Sequence, residues 1–345
     1  MSKVSKHILV IRLSAMGDVA MSVPVLRAFT EQHPEVKITV LSRGLFKPMF
    51  NTLTNVNFYV ADVKGNHKGI LGLFKLYKEL KHLQIDAIAD IHNVLRSKIL
   101  RLFFIFSNVK KSVIDKGRAE KKTLTRAKNK IFKPLKTTHE RYADVFRKLG
   151  FNLSLEKPTF PKKPSLLPNV SKVVPQNHLK WIGIAPFAQY DSKMYPLDLL
   201  SEVIKQLAES NTYTLLLFGG GLREINILKE IASKYKNTIN VAGILQLNEE
   251  LNLIANLDVM ISMDSANAHL AAMLNIKTIT LWGITHPFAG FAPFNQPASY
   301  QLLPDIEKYP NIPCSVYGNK VCDGYEEVMR NITPEKIISK INEVC

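Results

Sequence analysis

Short apolar runs alternate with amphipathic stretches along almost the whole chain, and this rhythm limits the possible folds more than any other feature. In the first half the runs fall at 7–13, 36–42, 57–61, 85–91 and 111–114, with helical patterns such as 71–83 between them. The runs are nearly continuous in apolar residues. A strand of that kind is buried on both faces, which predicts a parallel sheet covered by helices on each side. The second half repeats the rhythm, with runs at 181–185, 213–218, 240–242, 259–262 and 278–282 and helical patterns at 196–209 and 223–236. A last helix is predicted over 334–344, with Thr333 as its cap and Pro334 at its first position.

A chain of 345 residues accommodates two domains. Residues 157–176 contain Pro158, Pro161, Pro164, Pro168 and Pro175, which remove backbone donors and disfavour helix before them. The expected organisation is a first domain over 1–160, a proline-rich linker over 161–177 and a second domain over 178–333. No internal repeat is evident. No unbroken apolar run exceeds five residues, as at 102–106, whereas a membrane helix needs about 20. The apolar stretch at the start is broken by Arg12, and no small-residue cleavage site follows, so it does not read as a secretory signal. Three cysteines, Cys314, Cys322 and Cys345, are too few for a disulfide scaffold, and a reducing, cytoplasmic compartment is expected.

The net charge of +17 is concentrated in one half. Residues 1–168 carry 32 Lys and Arg against 12 acids; residues 169–345 carry 14 against 17. The first half is therefore suited to an anionic partner. The densest tract, 110–136, includes Lys116, Arg118, Lys121, Lys122 and Arg126 and follows the apolar segment 102–106. Such a pairing can dock on anionic lipid. Charge alone also permits a nucleic-acid binder, but no recognition motif supports one.

Four segments could carry chemistry. The run 7–13 leads into Ser14-Ala15-Met16-Gly17-Asp18, and a helical stretch follows over 19–32. The crevice beyond the carboxyl ends of a parallel sheet is where such folds place ligands. The loop has neither G-x-G-x-x-G nor G-x-x-x-x-G-K-[ST], so Asp18 reads as a reactive group or as a first-turn capping acid. The run 259–263 ends in Asp264-Ser265-Ala266-Asn267-Ala268-His269, an acid followed by small residues opening a helix. The free N–H groups of that turn offer an anion site, or Asp264 or Ser265 is simply an N-cap. The segment 186–196 carries Lys193, either a solvated loop lysine or a diphosphate ligand. Gly219, Gly220 and Gly221 follow a strand and permit close approach of a ligand; Glu224 beyond them is a ribose ligand or another first-turn acid. No D-x-D and no H-E-x-x-H occurs, and Cys314 with Cys322 falls short of a four-ligand metal site.

Taken together the chain resembles glycosyltransferase family 9, the ADP-heptose:lipopolysaccharide heptosyltransferases. The resemblance rests on Ser14-Ala15-Met16-Gly17-Asp18 with Pro24 downstream, Asp115-Lys116-Gly117-Arg118, Lys193, Gly219-Gly220 and Val241-Ala242-Gly243. It continues through Asp264-Ser265-Ala266-Asn267-Ala268-His269-Leu270-Ala271-Ala272 and Gly283-Ile284-Thr285-His286-Pro287, which is similar to the family's G-x-T-x-P. It implies an α/β GT-B architecture: two Rossmann-like domains with parallel sheets facing a central cleft, the last helix returning to the first domain. It implies an inverting, metal-independent transfer of heptose from ADP-heptose to the lipopolysaccharide inner core, with no cofactor. Asp18 would be the general base. Lys193, Glu224, Asp264, Ser265, Ala266, Asn267 and His269 would hold the donor, with Gly17, Gly219, Gly220, Gly243 and Thr285 shaping the loops. The basic surface at Lys116, Arg118, Lys121, Lys122 and Arg126 would meet an anionic lipid A–Kdo acceptor. A monomer is expected, peripheral on the cytoplasmic face of the inner membrane. The same fold with another nucleotide sugar and another surface glycan is the alternative. The chain departs from the family pattern in Ser265-Ala266, where many members have Thr-Gly; a hydroxyl and a small residue are kept.

Overall fold

A computed structural model describes residues 7–175 and 177–345; residues 1–6 and Gln176, which the sequence reading puts in the first domain and the linker, lie outside the described residues. The chain divides into two compact units. Unit 1 is the chain up to Lys116 together with Thr138–Phe160, and unit 2 is 117–137 together with Pro161–Cys345.

In unit 1, β1 (His7–Ile11), α1 (Met16–Gln32), β2 (Lys37–Ser42), β3 (Val56–Val60), α2 (Gly69–Lys81), β4 (Ala87–Asp90), α3 (Leu95–Phe103) and β5 (Lys110–Val113) follow one another. The strands form one sheet in the order β3-β2-β1-β4-β5, with every pairing parallel. The central strand β1 is buried along its whole length, as the apolar run 8–11 requires. The segment 117–137 carries α4 (Arg118–Thr125) and leaves the unit. The chain returns as α5 (Thr138–Lys148), which packs on α1 through Phe29 and Phe146, with ring centroids 4.6 Å apart.

Unit 2 runs through α6 (Pro168–Val173), β6 (Lys180–Ala185), α7 (Leu197–Glu209), β7 (Tyr213–Leu217), α8 (Leu222–Ala232), β8 (Thr238–Asn240) and α9 (Leu247–Ile254). It continues with β9 (Val259–Met263), α10 (Ala266–Met273), β10 (Lys277–Leu281), β11 (Gln301–Leu302) and α11 (Pro334–Val344). Its sheet has the order β11-β10-β9-β6-β7-β8, again with all pairings parallel.

Three sequence expectations are corrected. The last helix does not return to the first domain. Ile337, Ile341 and Val344 of α11 are buried in the core of unit 2 with Leu200, Val203 and Leu207 of α7. Each such side chain contributes about 1.5–3 kcal/mol by its removal from water, which fixes the helix there. Second, the proline-rich stretch is not a bare linker: Pro168 opens α6, which packs on α9 and buries Val170. Third, most of the basic tract belongs to unit 2. Phe132 packs against His286 and Phe288, at 5.0 and 4.9 Å between centroids. The Leu135 N–H donates to the Phe288 carbonyl at 2.9 Å. Lys130 donates from Nζ to the carbonyls of Asn311 and Pro313, at 2.6 and 3.2 Å.

Candidate active site

In each sheet the chain order reverses once. In unit 1, β1 to β3 run outward on one side and β4 to β5 on the other, so the switch lies between β1 and β4. In unit 2 it lies between β6 and β9. Loops leaving the carboxyl ends of strands at a switch diverge and open a crevice between them, the usual ligand position in open α/β sheets. Asp18, Lys193 and Asp264 fall on these loops, whereas Gly219, Gly220 and Glu224 follow β7, Gly243 follows β8 and Thr285 follows β10.

In unit 1 the loop after β1 is Arg12 to Ala15. Helix α1 begins at Met16, three residues before the predicted start, so Gly17 and Asp18 lie in its first turn. Asp18 reaches back to the Ala15 N–H at 3.4 Å, and its backbone carbonyl accepts the Tyr142 hydroxyl at 3.3 Å. Its carboxylate is ion-paired with Arg12, yet 31% of its side chain stays exposed. Arg12 is buried and donates from a second nitrogen to the Ile91 carbonyl at 2.8 Å. The turn after β4 is itself organised by Asp90. That fully buried carboxylate accepts from the N–H groups of His92 and Asn93, at 2.9 and 2.7 Å, and pairs with Arg101 at 2.8 Å. His92 accepts the Leu13 N–H at Nδ1. Burial first, and then the Arg12 charge, push its imidazole down to about 3, so it is neutral near pH 7. The capping and reactive readings of Asp18 are thus compatible: it caps the helix, and its outer face is open.

Arg12, Asp90 and His92 were missed by the sequence reading. A signal existed for two of them: Arg12 and Asp90 are charged residues at the ends of otherwise apolar strands, the same mark that singles out Asp264.

In unit 2, Lys193 leaves the β6 loop and Asp264 ends β9. The Lys193 Nζ lies 2.9 Å from Asp264 Oδ2, which also accepts the Thr285 hydroxyl at 2.9 Å. Lys193, Asp264 and Thr285 are therefore one cluster drawn from three loops. Ser265 is the N-cap residue of α10, its hydroxyl 3.1 Å from that of Ser262. Ala266, Asn267 and Ala268 open the helix with small or short side chains, leaving the first-turn N–H groups approachable. His269 is buried in the same helix. Glu224 sits in the first turn of α8 and accepts the Gly220 N–H at 2.7 Å. A Cβ on Gly219 would stand 3.0 Å from Leu228 Cδ1 and 3.2 Å from that carboxylate, so both side chains would have to give way slightly. Gly243 has φ +73° and lies against Ile225. A cavity of about 490 Å³ lies between the β6 loop and the turn that opens α8, lined by Phe187, Gln189, Met194, Leu222 and Glu224 among others; Lys193, Asp264 and Thr285 do not line it.

The stem of Lys193 rests on a loop that the sequence reading left without a role. Cys314 and Cys322, whose role the sequence leaves open, are joined by a disulfide and close the segment that carries Gly318. The Gly318 carbonyl accepts the Ser192 hydroxyl at 2.6 Å, and a Cβ on Gly318 would lie 2.4 Å from Lys193 Cδ. Among the described residues no group of three or more His, Cys, Asp or Glu could hold a metal ion, and no helix is long and apolar enough to cross a membrane.

The basic-tract residues are not one surface. Arg118, Lys122 and Arg126 are exposed on unit 2, Lys116 is half-buried at the end of unit 1, and Lys121 is buried, its Nζ 4.1 Å from the centre of the Phe291 ring. The expectation of Lys121 as surface charge is corrected by that packing.

The sequence model of glycosyltransferase family 9 (heptosyltransferase) matches residues 73–315, most of unit 2 and part of unit 1. The chain belongs to glycosyltransferase family 9. As a family 9 enzyme it is a glycosyltransferase, and its relatives agree in length. It is 24% identical over 302 residues to the lipopolysaccharide core heptosyltransferase OpsX of Haemophilus influenzae, covering 84% of this chain and 82% of that one. Among solved structures it is similar to a family 9 glycosyltransferase of Veillonella parvula, with a TM-score of 0.75, 17% identity and coverage of 98% and 97%. It is also similar to the ADP-heptose heptosyltransferase II of Escherichia coli, with a TM-score of 0.70, 20% identity and coverage of 98% of both chains. These likenesses establish the family 9 fold, GT-B with two parallel-sheet α/β domains, as the resemblance implied.

Proposed function

We propose that this family 9 enzyme transfers a heptose from ADP-heptose to a hydroxyl of the lipopolysaccharide inner core, with inversion at the anomeric carbon. The relatives' names point to that donor and acceptor class. The observation that carries the reading is the Lys193–Asp264–Thr285 cluster beside the N-terminus of α10, a site suited to a diphosphate joined to a polyol.

Unit 2 holds the donor. The diphosphate takes the first-turn N–H groups of α10 and the Lys193 ammonium, and charge that develops on the leaving ADP as the glycosidic bond breaks is stabilised there. Asp264 and Glu224 accept from sugar hydroxyls. Unit 1 supplies the base. Asp18 takes the proton from the acceptor hydroxyl as its oxygen forms the new bond to the anomeric carbon; ADP departs with the electron pair of the old one. Arg12 orients the carboxylate through their ion pair, and neutral His92 does not compete for the proton. The acceptor is a phosphorylated, lipid-borne Kdo or heptose, in keeping with the excess of Lys and Arg in residues 1–168.

The test is release of ADP when purified protein is mixed with ADP-heptose and a Kdo-lipid A acceptor. Absence of turnover on every core acceptor would contradict the reading. Stronger thermal stabilisation by UDP or GDP than by ADP would direct it to another nucleotide sugar.

A further inference from the structure

Helices α2 and α3 pack side by side in unit 1, α3 opening directly after the β4 turn. In α3 and the turn after it, Ser97, Leu100 and Phe104 face the core. Ile99 and Phe103 pack against that core as well, whereas Leu95, Leu102 (57% exposed), Ile105 and Phe106 (100% exposed) face solvent. On α2, Leu71 is 85% exposed. Phe74, also exposed, meets Phe103 edge-on at 5.3 Å and joins the two helices into one apolar strip. Single exposed leucines need no explanation, but six large apolar side chains gathered on two adjacent helices mark an interaction surface.

The rim is basic. Between 64 and 111 the chain carries ten Lys and Arg against three acids. The acids are engaged within the unit: Glu79 accepts the Tyr59 hydroxyl at 2.6 Å, Asp86 accepts the His7 N–H at 3.0 Å, and Asp90 is buried on Arg101. Lys75, Lys78, Arg96 and Lys98 are exposed beside the strip, with Lys78 Nζ 4.9 Å from the Phe74 ring. The charge facing outward around the apolar residues is therefore of one sign.

We infer that the α2–α3 face docks this enzyme on an anionic phospholipid surface, its leucines and phenylalanines entering the headgroup boundary and its lysines and arginines meeting lipid phosphates. The match is of charge and polarity together: apolar side chains alone fit many partners, but a basic rim around them fits an anionic bilayer. A second copy of the chain is a poor occupant, because it would bring two rims of like charge together. The surface replaces the 110–136 tract as the membrane contact, since the packing of Lys121 and Lys130 takes that tract into unit 2. The purpose of docking rests on the reading of a lipid-borne acceptor; the geometry does not.

The experiment is co-sedimentation of the full chain with vesicles of phosphatidylethanolamine and phosphatidylglycerol, and with vesicles of phosphatidylcholine alone. The parent is expected to bind the anionic vesicles, weakly at high salt, and to leave the neutral ones. Leu102→Ser with Phe106→Ser, and separately Lys75→Glu with Lys98→Glu, are each expected to weaken binding about ten-fold or more. Stabilisation by ADP and turnover on a water-soluble, delipidated acceptor are expected to be unchanged in both, which shows that the variants are folded. Equal binding of parent and variants, or no binding by the parent, overturns the inference. So does self-association of the parent that the apolar pair abolishes in the absence of lipid. Vesicle binding without turnover on the soluble acceptor supports the docking surface and counts against the transferase reading.

Discussion

The buried Arg12 guanidinium pairs with Asp18 on one side and donates to the Ile91 carbonyl at 2.8 Å on the other. One side chain thus ties the loop after β1 to the turn after β4, across the switch point of the first sheet. In Arg12→Met the Asp18 carboxylate loses its orienting partner. A shift of about 1 Å in a catalytic group can cost about 10²-fold in rate, so kcat is expected to fall 10- to 100-fold. The donor KM is expected to stay near the parent value, because the residues proposed to hold the donor lie on unit 2. Steady-state kinetics with varied ADP-heptose checks this.

In the proposed reaction Lys193 acts on the leaving group. Replacing it with alanine removes the ammonium from the leaving diphosphate, and a loss of about 10²–10³ in kcat is expected from the loss of one such charge-stabilising group. Thr285→Val removes a single hydroxyl from Asp264; at about 1 kcal/mol for one hydrogen bond, donor affinity should weaken only about five-fold. Steady-state kinetics reads the first effect and calorimetric titration with ADP-heptose the second.

The parallel α/β architecture was legible because its strands are buried on both faces and so are written as apolar runs. The loop acids Asp18 and Asp264 were legible for a related reason: a carboxylate at the end of an apolar run stands out from it and needs a partner, as Asp264 finds in Lys193 and Thr285. The long-range choices were not. Whether α11 packs on one unit or the other depends on which apolar groove it fills, and Ile337, Ile341 and Val344 carry no address in their own sequence. Likewise the basic tract reads as surface charge, yet Phe132 and Leu135 bind it to the loop around Phe288. Arg12 looked like an interruption of β1 until Ile91, 79 positions away, was seen to accept from it.

Gly318 offers a test of the disulfide-closed loop as the support of Lys193. Its φ of +87° is costly for any side chain, and its Cβ would meet Lys193 Cδ at 2.4 Å. Gly318→Ala should lower stability by about 1–3 kcal/mol. It should also raise the KM for donor by displacing the lysine. Thermal denaturation with and without ADP reads both effects.

His92 predicts a pH dependence of stability. Its folded value is about 3 and its ordinary value 6.5, so between these the unfolded chain binds more protons and stability rises with pH. The contribution is complete above about 6.5 and is lost as pH falls toward 3. Between pH 7 and pH 5 the parent should lose up to about 2 kcal/mol through this group. His92→Asn should lose correspondingly less, as urea denaturation at the two pH values will show.

The most direct test of the central claim is turnover by Asp18→Asn, measured as ADP released from ADP-heptose in the presence of acceptor, with ADP binding measured on the same preparation. The substitution keeps the size of the side chain and removes the proton acceptor. Turnover is expected to fall by about 10²–10⁴, the usual worth of a general base, while ADP binding stays within about two-fold of the parent. Turnover at the parent rate would contradict the assignment of Asp18 as the base.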